Sequence, residues 1–93
     1  MRDLSEIRVD IDRVDREIVA LFEERMALTK QVAAYKIANN KPVLDEVREA
    51  QKLDAVASFV KDADNKQGTR DLFEAIMAIS RAQQQKLLEE TNK

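Results

Sequence analysis

Arg25 and Lys36 are the first residues whose types and spacing could do chemistry. On a helix they lie three turns and roughly 20° apart, so two long cations project from nearly one face, about 16 Å from each other, and can close on one small ligand between them. Ser80 and Gln84 stand one turn apart on a later stripe, Phe73, Met77, Ser80, Gln84 and Leu87, whose 4-3-4-3 spacing otherwise faces a core. Both are uncharged donors. Glu49 precedes Leu53, Val56 and Val60 at core spacing, with Arg48 beside it and Asp45 a turn earlier. Cations, a carboxylate and neutral donors on apolar stripes could together grip a small charged molecule.

Each of these residues also has a purely structural reading. A lone Arg in an apolar seam is commonly half of a buried interhelical salt bridge that sets register. Lys36 could sit on a solvated face, Ser80 and Gln84 could be a buried polar pair, Asp45 a helix cap and Arg48 a surface ion-pair partner. Arg8 lies about 25 Å along the axis from Arg25 and about 100° around it, too far to share a ligand within one chain. It could serve only the second site of a dimer, brought there by antiparallel pairing of two long helices. Otherwise it is a solvated Arg near Asp12 and Glu6.

Composition narrows the chemistry. The chain has no Cys and no His, which excludes disulfides, thiol nucleophiles, the usual zinc sites and imidazole acid–base catalysis. Sixteen basic against eighteen acidic residues give a net charge of -2, the wrong sign for a general nucleic-acid binder. No stretch approaches a membrane span and the N-terminus has no hydrophobic signal core, so a cytoplasmic protein is expected.

The elements that must position these residues are helical. In 93 residues there is one Gly and one Pro, too little turn material for a sheet of several strands, so the expectation is a single all-α domain of three helices. Helix 1 is expected over about 4–38, opened by Asp3 and Glu6 in capping-box spacing and stopped by Asn39-Asn40-Lys41-Pro42. Helix 2 is expected over about 45–62 with Asp45 as its cap, and helix 3 over about 69–89 with Thr69 as its cap. Between them, Lys61 to Gly68 reads as a polar turn.

Along helix 1 the series Leu4, Ile7, Ile11, Val14, Ile18, Leu21, Arg25, Leu28, Val32 and Tyr35 keeps an unbroken 3-4 alternation, the seam of a coiled-coil-like packing. A helix of that length spans about 52 Å, whereas a compact chain of this size has a radius of gyration of only about 12 Å. Helix 1 must overhang its own domain. A second copy related by two-fold symmetry is the commonest cover for such a seam, which predicts an intertwined homodimer.

The order and spacing of Arg8, Asp15, Arg25, Lys36, Lys41-Pro42-Val43, Asp45, Arg48-Glu49, Ser80 and Gln84 resembles the all-helical AroQ class of chorismate mutases, over roughly residues 4–88. The stretches Glu24-Arg25 to Lys36 and Pro42 to Glu49 carry the resemblance most strongly. It implies a homodimer whose sites are shared between chains, with chorismate as substrate, prephenate as product and no cofactor or metal. Arg25 and the partner's Arg8 would hold the two carboxylates, with Ser80 assisting and Arg48 helping to position one of them. Lys36 and Gln84 would donate to the ether oxygen, while Glu49 and the backbone near Asp45 would bind the ring hydroxyl. The reaction is a pericyclic rearrangement, so a chain without His or Cys loses nothing. An isochorismate pyruvate-lyase on the same fold, a non-catalytic helical dimerisation module and a nucleic-acid-binding arm are the competing readings. The last is disfavoured by the net acidic charge.

Overall fold

The structure is a computed structural model and describes residues 1–92. Its first helix, α1, runs Leu4–Ala38 without a break, as the absence of Gly and Pro from this stretch allows. The Asp3 side chain accepts the Ser5 hydroxyl at 2.7 Å and caps no helix N–H, so the expected capping box with Glu6 does not form. That hydroxyl holds the Asp3 carboxyl below its ordinary value. At the other end, Lys41 N–H donates to the Lys36 carbonyl at 2.8 Å and Asn40 N–H to the Ile37 carbonyl at 3.4 Å. These bonds make a Schellman motif, with Asn40 in the left-handed region at φ 53° and Pro42 preventing a restart.

The second helix, α2, is Glu46–Ser58, with the Asp45 carboxylate accepting Arg48 N–H at 2.9 Å. It ends four residues before the expected 62, although the apolar stripe runs on through Phe59 to Val60. Phe59 and Val60 N–H bond to carbonyls three residues back, Val56 and Ala57, tightening the last turn. The Asp62 carboxylate then accepts Asp64 N–H at 3.0 Å and opens a 3₁₀ turn, Ala63–Asn65. The third helix, α3, follows directly as Lys66–Thr91 with Asn65 as its N-cap, four residues earlier than a Thr69 cap would place it. The Thr69 hydroxyl instead bonds back to the Asn65 carbonyl inside the helix, at 2.8 Å.

α3 is the shared element, packed against both α1 and α2. Its contacts with α1 advance in the same chain direction, from Arg25 beside Phe73 to Thr29 beside Gln83, so the two are parallel. Its contacts with α2 advance in opposite directions, Asp54 meeting Arg70 and Glu49 meeting Arg81, so that pair is antiparallel. Among the described residues the buried apolar core is only Ala33, Val56, Ala57 and Met77.

The molecule measures 57 × 25 × 14 Å with a radius of gyration of 16.8 Å. Apart from Arg25, every α1 seam residue from Leu4 to Tyr35 is 36–64% exposed in the single chain. Among the described residues no helix is long and apolar enough to cross a membrane.

Candidate active site

Parallel packing of α1 on α3, with the α1–α2 connection folding over one end, leaves a cleft of about 180 Å³ among the three helices. α1 contributes Arg25, Thr29, Val32 and Lys36 to its walls, and the connection contributes Val43 and Asp45. α2 adds Arg48, Glu49 and Lys52, while α3 adds Met77, Ser80, Arg81 and Gln84. Seven of the eight site residues expected from the sequence therefore meet in one place. Arg8 does not. It stands exposed on α1, far from this cleft, and no contact within the chain brings it closer.

Arg25 Nη1 donates to the Ser80 hydroxyl at 3.2 Å, and its guanidinium carbon lies 6.0 Å from the Phe73 ring centroid. Among the described residues no carboxylate pairs with it, so the interhelical salt bridge is not formed within the chain. Ser80 is 3% exposed and passes its own proton to the Ile76 carbonyl at 3.0 Å. Lys36 Nζ donates to the Val43 carbonyl at 2.7 Å, tying the connection to α1. Behind this wall, Thr29 donates to the Gln83 side chain at 3.0 Å and Gln83 donates to the Met26 carbonyl at 3.1 Å, locking α1 to α3.

Gln84 is 6% exposed, and its side-chain oxygen has no hydrogen-bond partner. A buried amide oxygen left without a partner costs about 1–3 kcal/mol and marks a place where an outside group completes the network. Rotating the amide by half a turn exchanges its oxygen and nitrogen with little change of shape, so the same position can offer a donor.

Glu49 is paired with Arg81, a residue the sequence reading passed over. The signal was present, since Met77, Ser80, Arg81 and Gln84 are the i, i+3, i+4 and i+7 positions of one helical face. Lys52, one turn after Arg48, was also passed over. Asp45 and Arg48 are exposed at the rim, and the Asp45 carboxylate is engaged as the α2 cap. Five cations against two carboxylates give the cleft a net positive charge on a chain whose net charge is -2. Opposed walls of Arg and Lys, with Ser80 steadying Arg25 and a buried neutral amide at Gln84, can grip a small compact dianion and stabilise negative charge appearing between them.

The site is a cation-lined cleft on a three-helix chain without Cys or His, a setting suited to a small anion. The family model described as chorismate mutase type II matches residues 7–85. The chorismate mutase of Methanocaldococcus jannaschii is 34% identical over 90 residues, covering 95% of this chain and 90% of that protein. The bifunctional chorismate mutase/prephenate dehydratase of Buchnera aphidicola subsp. Schizaphis graminum is 34% identical over 87 residues, 92% of this chain but 23% of its own length. The enzyme of the same description from Aquifex aeolicus is 34% identical over 62 residues, 67% of this chain and 17% of its own length. No solved structure gives a significant match. The chain belongs to the chorismate mutase type II family.

Proposed function

We propose that the cleft converts chorismate to prephenate, with the chain working as a homodimer whose two sites each take residues from both copies. The reaction breaks a C–O bond as a C–C bond forms, so catalysis consists of holding the substrate in a compact chair-like conformer and stabilising negative charge on the ether oxygen. Arg25, steadied by Ser80, holds one carboxylate, and the partner's Arg8 holds the other. Arg48 at the rim helps to position one of them. Lys36 and Gln84 donate to the ether oxygen, while Glu49 and the backbone near Asp45 receive the ring hydroxyl. The observation that carries this reading is the convergence of Arg25, Lys36, Ser80 and Gln84, with its unpartnered buried oxygen, on one cleft.

Surface arithmetic supports the dimer. The single chain exposes 7351 Å², against about 5,500 Å² for a compact monomer of its mass. The excess, about 1,800 Å² per chain, suits an obligate two-fold interface. Its apolar centre is a groove where Ile18, Leu21 and Phe22 of α1 face Leu72, Ile76 and Ile79 of α3, next to Arg25. A second α1 seam laid in that groove would carry its own N-terminal turns toward the cleft.

The test is incubation with chorismate, following loss of its conjugated diene absorbance and identifying the product. Prephenate is expected. Pyruvate release from isochorismate, with chorismate left intact, would favour the lyase instead.

A further inference from the structure

Of the ion pairs among the described residues, only Arg81–Glu49 joins two residues that line the cleft. Both side chains are partly buried, 35% and 23% exposed, and they reach from opposite walls, α3 and α2. The other α2–α3 pair, Arg70–Asp54, lies outside the cleft with Asp54 79% exposed. Asp45, the second carboxylate of the cleft, is engaged by Arg48 N–H. Asp45 is also exposed, so Glu49 is the partly buried acidic group of the cleft. On its own helix Lys52, three residues on, is the competing cation within reach of Glu49. Arg81 engages one carboxylate oxygen, Oε1, from across the cleft and leaves Oε2 with no partner among the described residues.

We propose that Arg81 is a positioning residue: it holds the Glu49 carboxylate across the cleft so that the free oxygen meets the ring hydroxyl of the substrate. The enzyme thereby favours hydroxylated substrates over analogues lacking that group. This rests on the chorismate reading above. Arg81 acts through Glu49 and does not itself touch the substrate, which separates it from Arg25. A tie whose only role was to hold α2 on α3 would affect melting and leave hydroxyl recognition untouched.

The experiment is a double-mutant cycle on kcat/KM for chorismate, using Arg81→Gln, Glu49→Ala and the two combined, with Arg70→Gln as the control tie. Each single change in the cleft should lower kcat/KM about tenfold, chiefly through KM, because a hydrogen bond to a charged group made equally in ground and transition states is lost. The double variant should be no worse than the worse single within about twofold. Arg81→Lys should recover part of the loss, and Arg70→Gln should stay at the wild-type value. With a chorismate analogue lacking the ring hydroxyl, Arg81→Gln should cost less than about twofold relative to wild type. Melting curves of every variant separate loss of folding from loss of recognition. Losses that multiply in the double variant, an undiminished loss on the analogue, or no loss in folded Arg81→Gln would each overturn the proposal. Wild-type turnover of chorismate is the baseline: its absence overturns the functional reading and this proposal with it, whereas turnover with multiplying losses overturns this proposal alone.

Discussion

Arg25 on α1 donates to the hydroxyl of Ser80 on α3 at 3.2 Å and pairs with no carboxylate among the described residues. An Arg held by a neutral partner keeps its full charge available to a ligand. Removing it also leaves no buried anion behind, because the partner it loses is a neutral hydroxyl that still donates to the Ile76 carbonyl.

Arg25→Ala should therefore lose activity by about 10²–10³-fold, the usual cost of removing a preorganised charged donor. Its melting temperature should hold or rise, since relieving cations crowded in a cleft is often stabilising. A fall of more than about 8 °C, a loss of the order of 1–2 kcal/mol in a domain of this size, would assign Arg25 to structure and not to substrate.

Gln84→Glu tests the ether-oxygen contact. With no His in the chain, the wild-type rate should be nearly flat from about pH 6 to 8. In the variant, an ionised carboxylate would oppose the negative charge developing on the oxygen, and only the protonated acid could donate to it. The charged groups that share its cleft are Lys36 and Arg25 from α1, Arg48, Glu49 and Lys52 from α2, Arg81 from α3, and Asp45. The cations favour the ionised form, while burial and the two carboxylates favour the protonated one. Activity of the variant should climb as pH falls, whatever the midpoint. A pH–rate profile of the intact protein as flat as the wild type's would mean that Gln84 does not touch the reacting oxygen.

Leu21→Lys tests the seam. Leu21 is 64% exposed in the single chain and lines the apolar groove between α1 and α3. A charge there should cost little in a true monomer but several kcal/mol in a dimer that buries it. Sedimentation equilibrium at micromolar concentration should show two chains for the wild type and a shift toward one for the variant, with activity lost in parallel. A wild-type chain that sediments as an active monomer would end the dimer proposal.

How much of this was legible in the sequence differs by element. The 3-4 spacing from Leu4 to Tyr35 and the Asn39-Asn40-Lys41-Pro42 stop mark α1 because its end is a local event, a Schellman motif that needs one left-handed residue. The end of α2 has no Gly, Pro or left-handed residue to announce it. Phe59 and Val60 extend its apolar stripe, and only the tightening of the last turn and the Asp62 cap of the following 3₁₀ turn set the boundary. Thr69 looked like a cap because Thr commonly is one, yet its hydroxyl is equally able to bond back along a helix. Arg25, Lys36, Ser80 and Gln84 were visible because a polar group on an apolar stripe is conspicuous. Arg81 was not, because a charged residue flanking such a stripe reads as solvated until a partner from another helix appears.

The claim most exposed to test is that each site is assembled from two chains, with Arg25 from one and Arg8 from the other. Arg8→Ala and Arg25→Ala proteins, each nearly inactive alone, should be mixed under conditions where subunit exchange is verified, and chorismate turnover measured. Heterodimers then carry both lesions in one site and neither in the other, so random exchange should restore about a quarter of wild-type activity. A mixture that exchanges fully and stays as inactive as its parents would contradict the shared site.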